Sequence, residues 1–278
     1  MCRLALGNQA IDATSFTLVR LISGALALSV ILFVGSQFNK SNKAFGPLGL
    51  TQFSAKKWLA AGMLFIYAAG FSYAYIALDT GVGALILFGT VQLTMIAVSI
   101  YKNEYLPWYK WLGLLLAFGG LCFLVYSRLD FSSAQLSISG FALMLLAGIA
   151  WGAYTLIGRG SITPLLDTST SFIFSTILCI PLLTIYWLSP ALLTAHGFWL
   201  ALASGVVTSA FGYAIWYIAL AGLSRIQAGV VQLLVPVIAA IGGVLWVGES
   251  ISNELVIAQV LVLGGIVLVL INRGTLKN

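Results

Sequence analysis

Between residues 210 and 271 three apolar runs follow one another, separated only by short polar joints at 222–225 and 249–254. No water-soluble core for a chain of this size needs such runs back to back. A bilayer does, because each crossing takes about 20 mostly apolar residues and must satisfy its backbone internally. The rest of the chain agrees. Of its 278 residues, 61% are hydrophobic and 7% charged, against about 25% charged in soluble domains. Mean hydropathy is +1.06. The chain therefore reads as an all-α polytopic membrane protein.

The same stretch has an echo upstream. FSYAYIAL at 71–78 parallels FGYAIWYIAL at 211–220, and VQL at 91–93 parallels VQL at 231–233. Glu104 and Glu249 follow in matching joints, and the last run of each copy carries paired glycines, Gly119 with Gly120 and Gly264 with Gly265. The register slips by a few residues, so the pattern is a duplicated unit. Repeats of this kind are common in secondary transporters. Two halves follow, residues 1–127 with four spans and 136–271 with five.

Nine spans are expected, at about 15–36, 58–78, 81–100, 108–126, 136–158, 168–188, 198–220, 226–247 and 254–271, with Pro181 kinking the sixth. Alternating the joints across the membrane puts Lys40, Lys43, Lys56, Lys57, Lys102, Lys110, Arg159, Arg225, Arg273 and Lys277 on one side. Only Arg3 and Arg128 fall on the other, and Arg20 lies inside the first span. Lys and Arg are retained in the cytoplasm, which places the C-terminus there and the N-terminus outside. MCRLAL at the start is too short for a span or a signal peptide. It reads as the outer end of a helix missing from the first half.

These residues resemble the drug/metabolite transporter superfamily, in particular EamA-like ten-helix permeases. The resemblance rests on TSFTLVR at 14–20, on the joint Gly248 and Glu249 with its weaker counterpart Asn103 and Glu104, and on WGAY at 151–154. Together with the duplication it spans nearly the whole chain. It implies two repeated helical halves with nine helices present, and a carrier in the bacterial inner membrane, often an exporter, for a small metabolite. With the first helix absent, one wall of the cavity would be open. That leaves a non-transporting or partner-dependent subunit, or a homodimer, as the alternative.

Arg20 is the sharpest candidate for substrate binding. A charge inside a span is costly and faces a cavity or a partner; here it would attract an anionic group. The competing reading has it snorkel to the outer interface, five residues from the start of its span. Gln92 and Gln232 are amides at matching mid-span positions and need partners in hydrocarbon. They line a central site or bond to neighbouring helices. Pro236, one turn beyond Gln232, frees the Gln232 carbonyl from its helical bond. Tyr73, Tyr213 and Trp151 are cavity candidates, each a flat apolar surface with one polar handle; interfacial belt positions are the alternative. Tyr75, Tyr154, Trp216 and Tyr217 belong to the same aromatic set. Trp58, Trp108, Trp187 and Trp199 near span ends read as anchors. The glycines read as helix–helix contact points. Glu249 and Glu104 read as joint charges, helix-dipole partners or a proton-coupled gate.

Other classes find little support. The one histidine, His196, has no companions for acid–base or nucleophilic work, and no phosphate loop, zinc spacing or nucleotide fingerprint is present. Neither an enzyme nor a cofactor is expected. Cys2, Cys122 and Cys179 form no metal or redox spacing. No filter-like ring suggests a channel. Lys56 and Lys57, the longest basic cluster, are too few to track nucleic acid.

Overall fold

The structure, a computed structural model, describes residues 1–38, 54–101, 107–128, 138–159, 161–188, 192–216 and 234–270. Among these the secondary structure is helical, apart from an isolated antiparallel bridge between Ile11 and Leu193. The elements are α1 (Cys2–Gly7), α2 (Ala13–Phe38), α3 (Ala55–Ala74), α4 (Thr80–Tyr101), α5 (Trp108–Arg128), α6 (Ile138–Gly158), α7 (Pro164–Leu178), α8 (Ile180–Leu188), α9 (Ala195–Ala203), α10 (Leu234–Gly242) and α11 (Asn253–Leu270). Two of them widen at their ends into π-helical segments, α9 into Ser204–Phe211 and α10 into Gly243–Val247.

Five helices among the described residues are long and apolar enough to cross a membrane, at 13–35, 80–98, 138–158, 164–184 and 195–216. Shorter apolar helices cover 108–124, 234–247 and 253–269. The expected sixth span is two helices, α7 and α8, meeting at Cys179. Pro181 sits just beyond the break; it has no N–H to give Ile177, and its ring crowds that carbonyl. Thr17, Ser72, Thr94, Thr168, Thr170, Ser171 and Thr176 each return their hydroxyl to the carbonyl four residues back. That bond is how an apolar helix carries hydroxyls away from water. The joints carrying Lys40, Lys43, Lys102 and Glu104, the tail with Arg273 and Lys277, and Arg225 lie outside the described residues.

The chain forms two compact units, and each draws on both ends of the sequence: residues 1–76 with 153–222, and residues 77–152 with 223–278. In the first, α2 packs against α3, α7, α9 and the π segment that follows α9. Asp12 caps α2, accepting the Ser15 N–H at 2.9 Å and the Ser15 hydroxyl at 2.6 Å. Thr194 caps α9 by accepting the Gly197 N–H at 3.0 Å. The backbone at Ala10 and Asp12 pairs with Thr194 and Leu192, tying the two helix starts together. A Cβ at Gly24 would come within 2.7 Å of Phe172, and one at Gly205 would collide with the Ser23 hydroxyl and the Arg20 carbonyl. Both glycines are needed for α2 to lie this close to its neighbours.

In the second unit α5 and α11 pack along their length. A Cβ at Gly113 would lie 2.5 Å from the Gly265 carbonyl oxygen, and one at Gly265 would strike the Gly113 carbonyl. Gly120, two turns further along α5, faces Leu261 and Val262, one turn back along α11. The helices therefore run antiparallel. Gly119 and Gly264, the other member of each pair, meet nothing within 4 Å. α4 is held on a second side by α6, where Gly148 and Gly152 admit Thr90 and Thr94. On a third side Gly81 admits Ala240 of α10.

Candidate functional site

Arg20 lies about two turns into α2 and is 8% exposed. Its side chain stays buried inside the first unit and does not reach outward. Nε donates to the Ser209 hydroxyl at 3.3 Å, and Nη2 donates to the Tyr67 hydroxyl at 3.3 Å. The guanidinium carbon sits 5.5 Å from the Tyr67 ring centre and 5.1 Å from that of Phe71. The two rings therefore offer their faces to the cation, an attraction that strengthens as water is removed. Nη1 is buried and has no hydrogen-bond partner among the described residues. Neither hydrogen-bonding partner of Arg20 carries a charge.

Each partner has a local origin. Tyr67 and Phe71 are one helical turn apart on α3, so they share a face, and Tyr75 continues the stripe in edge contact with Phe71. Ser209 belongs to the π segment. Its hydroxyl donates to the carbonyl of Ser204, five residues back, at 3.1 Å, which leaves its lone pairs for Arg20. Wide turns of this kind are frequent at functional sites. Gly205 in the same segment brings it against α2.

Tyr73 and Tyr213 belong to the same unit. The Tyr73 hydroxyl shares a hydrogen bond of 2.7 Å with Thr14. Thr14 lies six residues before Arg20 and Tyr73 six after Tyr67, as antiparallel packing of α2 and α3 requires. The contact is therefore about 9 Å along the seam from the cation. Tyr213 packs edge-on against Phe172, with ring centres 5.8 Å apart. Phe172 in turn lies on Gly24, one turn past Arg20 on α2. Gln92 and Trp151 belong to the second unit. Gln92 is 2% exposed, on the side of α4 opposite Thr90 and Thr94. Gln232 lies outside the described residues, as does Tyr217.

Tyr67, Phe71, Ser209 and Phe172 were not singled out from the sequence. Tyr67, Phe71 and Tyr75 do recur at intervals of four, a signal of one aromatic face. Ser209 carries no such signal, because an α-helical period does not describe a π segment. Glu249 has a structural task in the second unit. Both its carboxylate oxygens accept the Thr80 backbone N–H at 2.9 Å, and Oε1 also accepts the Thr80 hydroxyl at 2.9 Å. No cluster of three metal-ligating side chains occurs among the described residues.

Apolar helices long enough to cross a bilayer, packed through glycines around buried hydroxyls and a buried cation, define a polytopic membrane protein. The comparisons with known proteins narrow the class. Residues 138–271 match the EamA-like transporter family. An uncharacterized protein of Pseudomonas aeruginosa is 44% identical over 273 residues, 98% of this chain and 89% of that one. The uncharacterized transporter YwfM of Bacillus subtilis is 26% identical over 257 residues, 89% of this chain and 81% of its own. A protein of known crystal structure, 18% identical, superposes with a TM-score of 0.64 over 96% of this chain and 90% of that one. The chain belongs to the EamA-like transporter family and is a membrane transporter.

Proposed function

We propose that the chain is a secondary carrier, an exporter, that moves a small anionic metabolite across the bacterial cytoplasmic membrane and holds its negative group at Arg20. One observation carries this: a guanidinium buried within the helices with Nη1 unpartnered among the described residues. A charge at the centre of a span costs about 2.5–3.5 kcal/mol on insertion scales, and Arg20, two turns into α2, bears part of that cost. An arriving anion would offset that cost. Tyr73 and Tyr213 complete the wall of this site in our reading; Gln92, Gln232 and Trp151 are proposed as further substrate contacts from their places in the sequence alone. The reading needs no cofactor and no catalytic step. The excess of lysine and arginine in alternate joints supports a cytoplasmic C-terminus.

The test is counterflow in proteoliposomes carrying the full chain, screened with labelled carboxylates, phosphates, amines and neutral solutes. Arg20→Leu should lower the flux of the accepted solute at least about tenfold, since a hydrogen bond to a charged group contributes about 1.5–3 kcal/mol. Arg20→Lys should retain part of it. Flux within twofold of the unsubstituted chain in Arg20→Leu would overturn the reading.

A further inference from the structure

We infer that Cys2 is a covalent modification site beside the Arg20 guanidinium, that it takes small disulfides whose arms carry a negative charge, and that the product locks the carrier. The preference for an anionic arm stands on its own; the loss of flux rests on the reading of Arg20 as the anion-binding group.

The short helix α1 packs on α9, and its thiol faces the π segment that follows. Cys2 Sγ shares a hydrogen bond of 3.7 Å with the hydroxyl of Ser204, a buried residue. The next residue, Gly205, lies against the Arg20 carbonyl. The Ser204 carbonyl receives the hydroxyl of Ser209, which in turn accepts Arg20 Nε. One segment of six residues thus touches both the thiol and the guanidinium. Cys2 and Arg20 are close enough for the charges of a thiolate and the guanidinium to interact. Cys2 is half-buried, whereas Cys179 is buried and Cys122 stands exposed on α5 in the other unit.

The chemistry is thiol–disulfide exchange, in which the thiolate is the nucleophile. It attacks one sulfur of the reagent, the reagent's S–S bond breaks, and a mixed disulfide forms at Cys2. The other half leaves as a thiolate, and the proton released by Cys2 passes through water to it. Charge decides which reagent is taken. Arg20 keeps Nη1 buried without a hydrogen-bond partner among the described residues. Arg3, next to Cys2, adds a second positive charge, with its Nη1 donating to the Tyr75 and Ile76 carbonyls. The acids Asp12 and Asp167 are bonded to serines at helix starts. A site flanked by one sign of charge raises the local concentration of the opposite ion and its rate of arrival by about 10–10³. Once tethered, the arm meets Arg20 at an effective concentration on the order of millimolar, so even a weakly held anion occupies the guanidinium.

The experiment treats the full chain, purified in detergent, with dithiodipropionate, hydroxyethyl disulfide or cystamine, whose arms are anionic, neutral and cationic at similar length. Peptide mass spectrometry follows the rate at Cys2, and N-acetylcysteine in the same buffer corrects for the reactivity of each reagent. After that correction Cys2 should react at least about tenfold faster with dithiodipropionate than with cystamine. Arg20→Gln should remove the preference, and Arg20→Lys and Arg3→Gln should keep most of it. The ranking is measured on the unsubstituted chain and stands whether or not a variant folds. No reaction at Cys2, equal rates for the three reagents, or a faster reaction with cystamine overturns the inference. So does a preference that survives in Arg20→Gln. In counterflow of the accepted solute, labelling by dithiodipropionate should lower flux at least about fivefold, in line with occupancy of the site by a tethered anion, and dithiothreitol should restore it. Full flux from a chain labelled at Cys2 overturns the lock, whereas the carrier reading falls on its own test, the flux of Arg20→Leu.

Discussion

The carboxylate of Glu249 holds the first backbone N–H of α4, that of Thr80, 169 residues earlier in the chain. The contact joins the end of the π segment after α10 to the start of α4 inside one compact unit. A carboxylate there satisfies donors that a helix start leaves open and faces the positive end of the helix dipole. Gly243 makes room for it, since a Cβ at that position would strike the Glu249 carboxylate.

Glu249→Ala should therefore lower the stability of the purified protein by about 1 kcal/mol, the usual cost of a lost helix cap. The midpoint of thermal unfolding in detergent should fall. Glu249→Gln should lose less, because its amide oxygen still accepts. An unchanged midpoint in the alanine variant would mean that the cap adds nothing.

Gly248 turns the chain so that Glu249 can reach back. Its φ of 75° lies in the left-handed region, which costs an L-residue roughly 1 kcal/mol or more. Gly248→Ala should destabilise by about that amount, and Gly248→Asn by less, because asparagine tolerates this conformation. Equal unfolding midpoints for glycine, asparagine and alanine would contradict the assignment.

How far these features can be read from the sequence differs from one to the next. The helical class is legible because a 20-residue apolar run has few other places to go. The joint of Gly248 and Glu249 stands out in the sequence, and a helix-dipole role for Glu249 follows from its type. Its partner does not: sequence suggests the next helix, and the fold supplies α4. Arg20 is conspicuous as a cation in an apolar run. Tyr67 is one aromatic among many, and only the antiparallel pairing of α2 with α3 picks it out. The break at Cys179 is foreshadowed by Pro181, whereas the π segments leave no trace in periodicity.

The paired glycines give a contrast within one sequence motif. Gly265→Leu should disrupt the α5–α11 crossing, because the new side chain would meet the Gly113 carbonyl and the Ala117 nitrogen. Gly264→Leu points away from any neighbour and should be tolerated. Expression with size-exclusion chromatography would separate them: an aggregated or absent peak for the first, a monodisperse one for the second. The same contrast should hold between Gly120→Leu and Gly119→Leu. Identical behaviour within each pair would count against the packing.

Tyr67 supports Arg20 in two ways that substitution can separate. Tyr67→Phe keeps a ring face under the guanidinium and removes the acceptor of the Nη2 bond. Tyr67→Leu removes both. In the flux assay the phenylalanine variant should show a smaller loss than the leucine variant. The gap should correspond to a cation–π contribution of about 0.5–2 kcal/mol, the larger figure applying where water is excluded. Because the freed N–H can turn to an anionic ligand, Tyr67→Phe should raise KM less than Tyr67→Leu does. Losses of equal size in both variants would show that the hydroxyl alone matters and that the ring face contributes nothing to holding the cation.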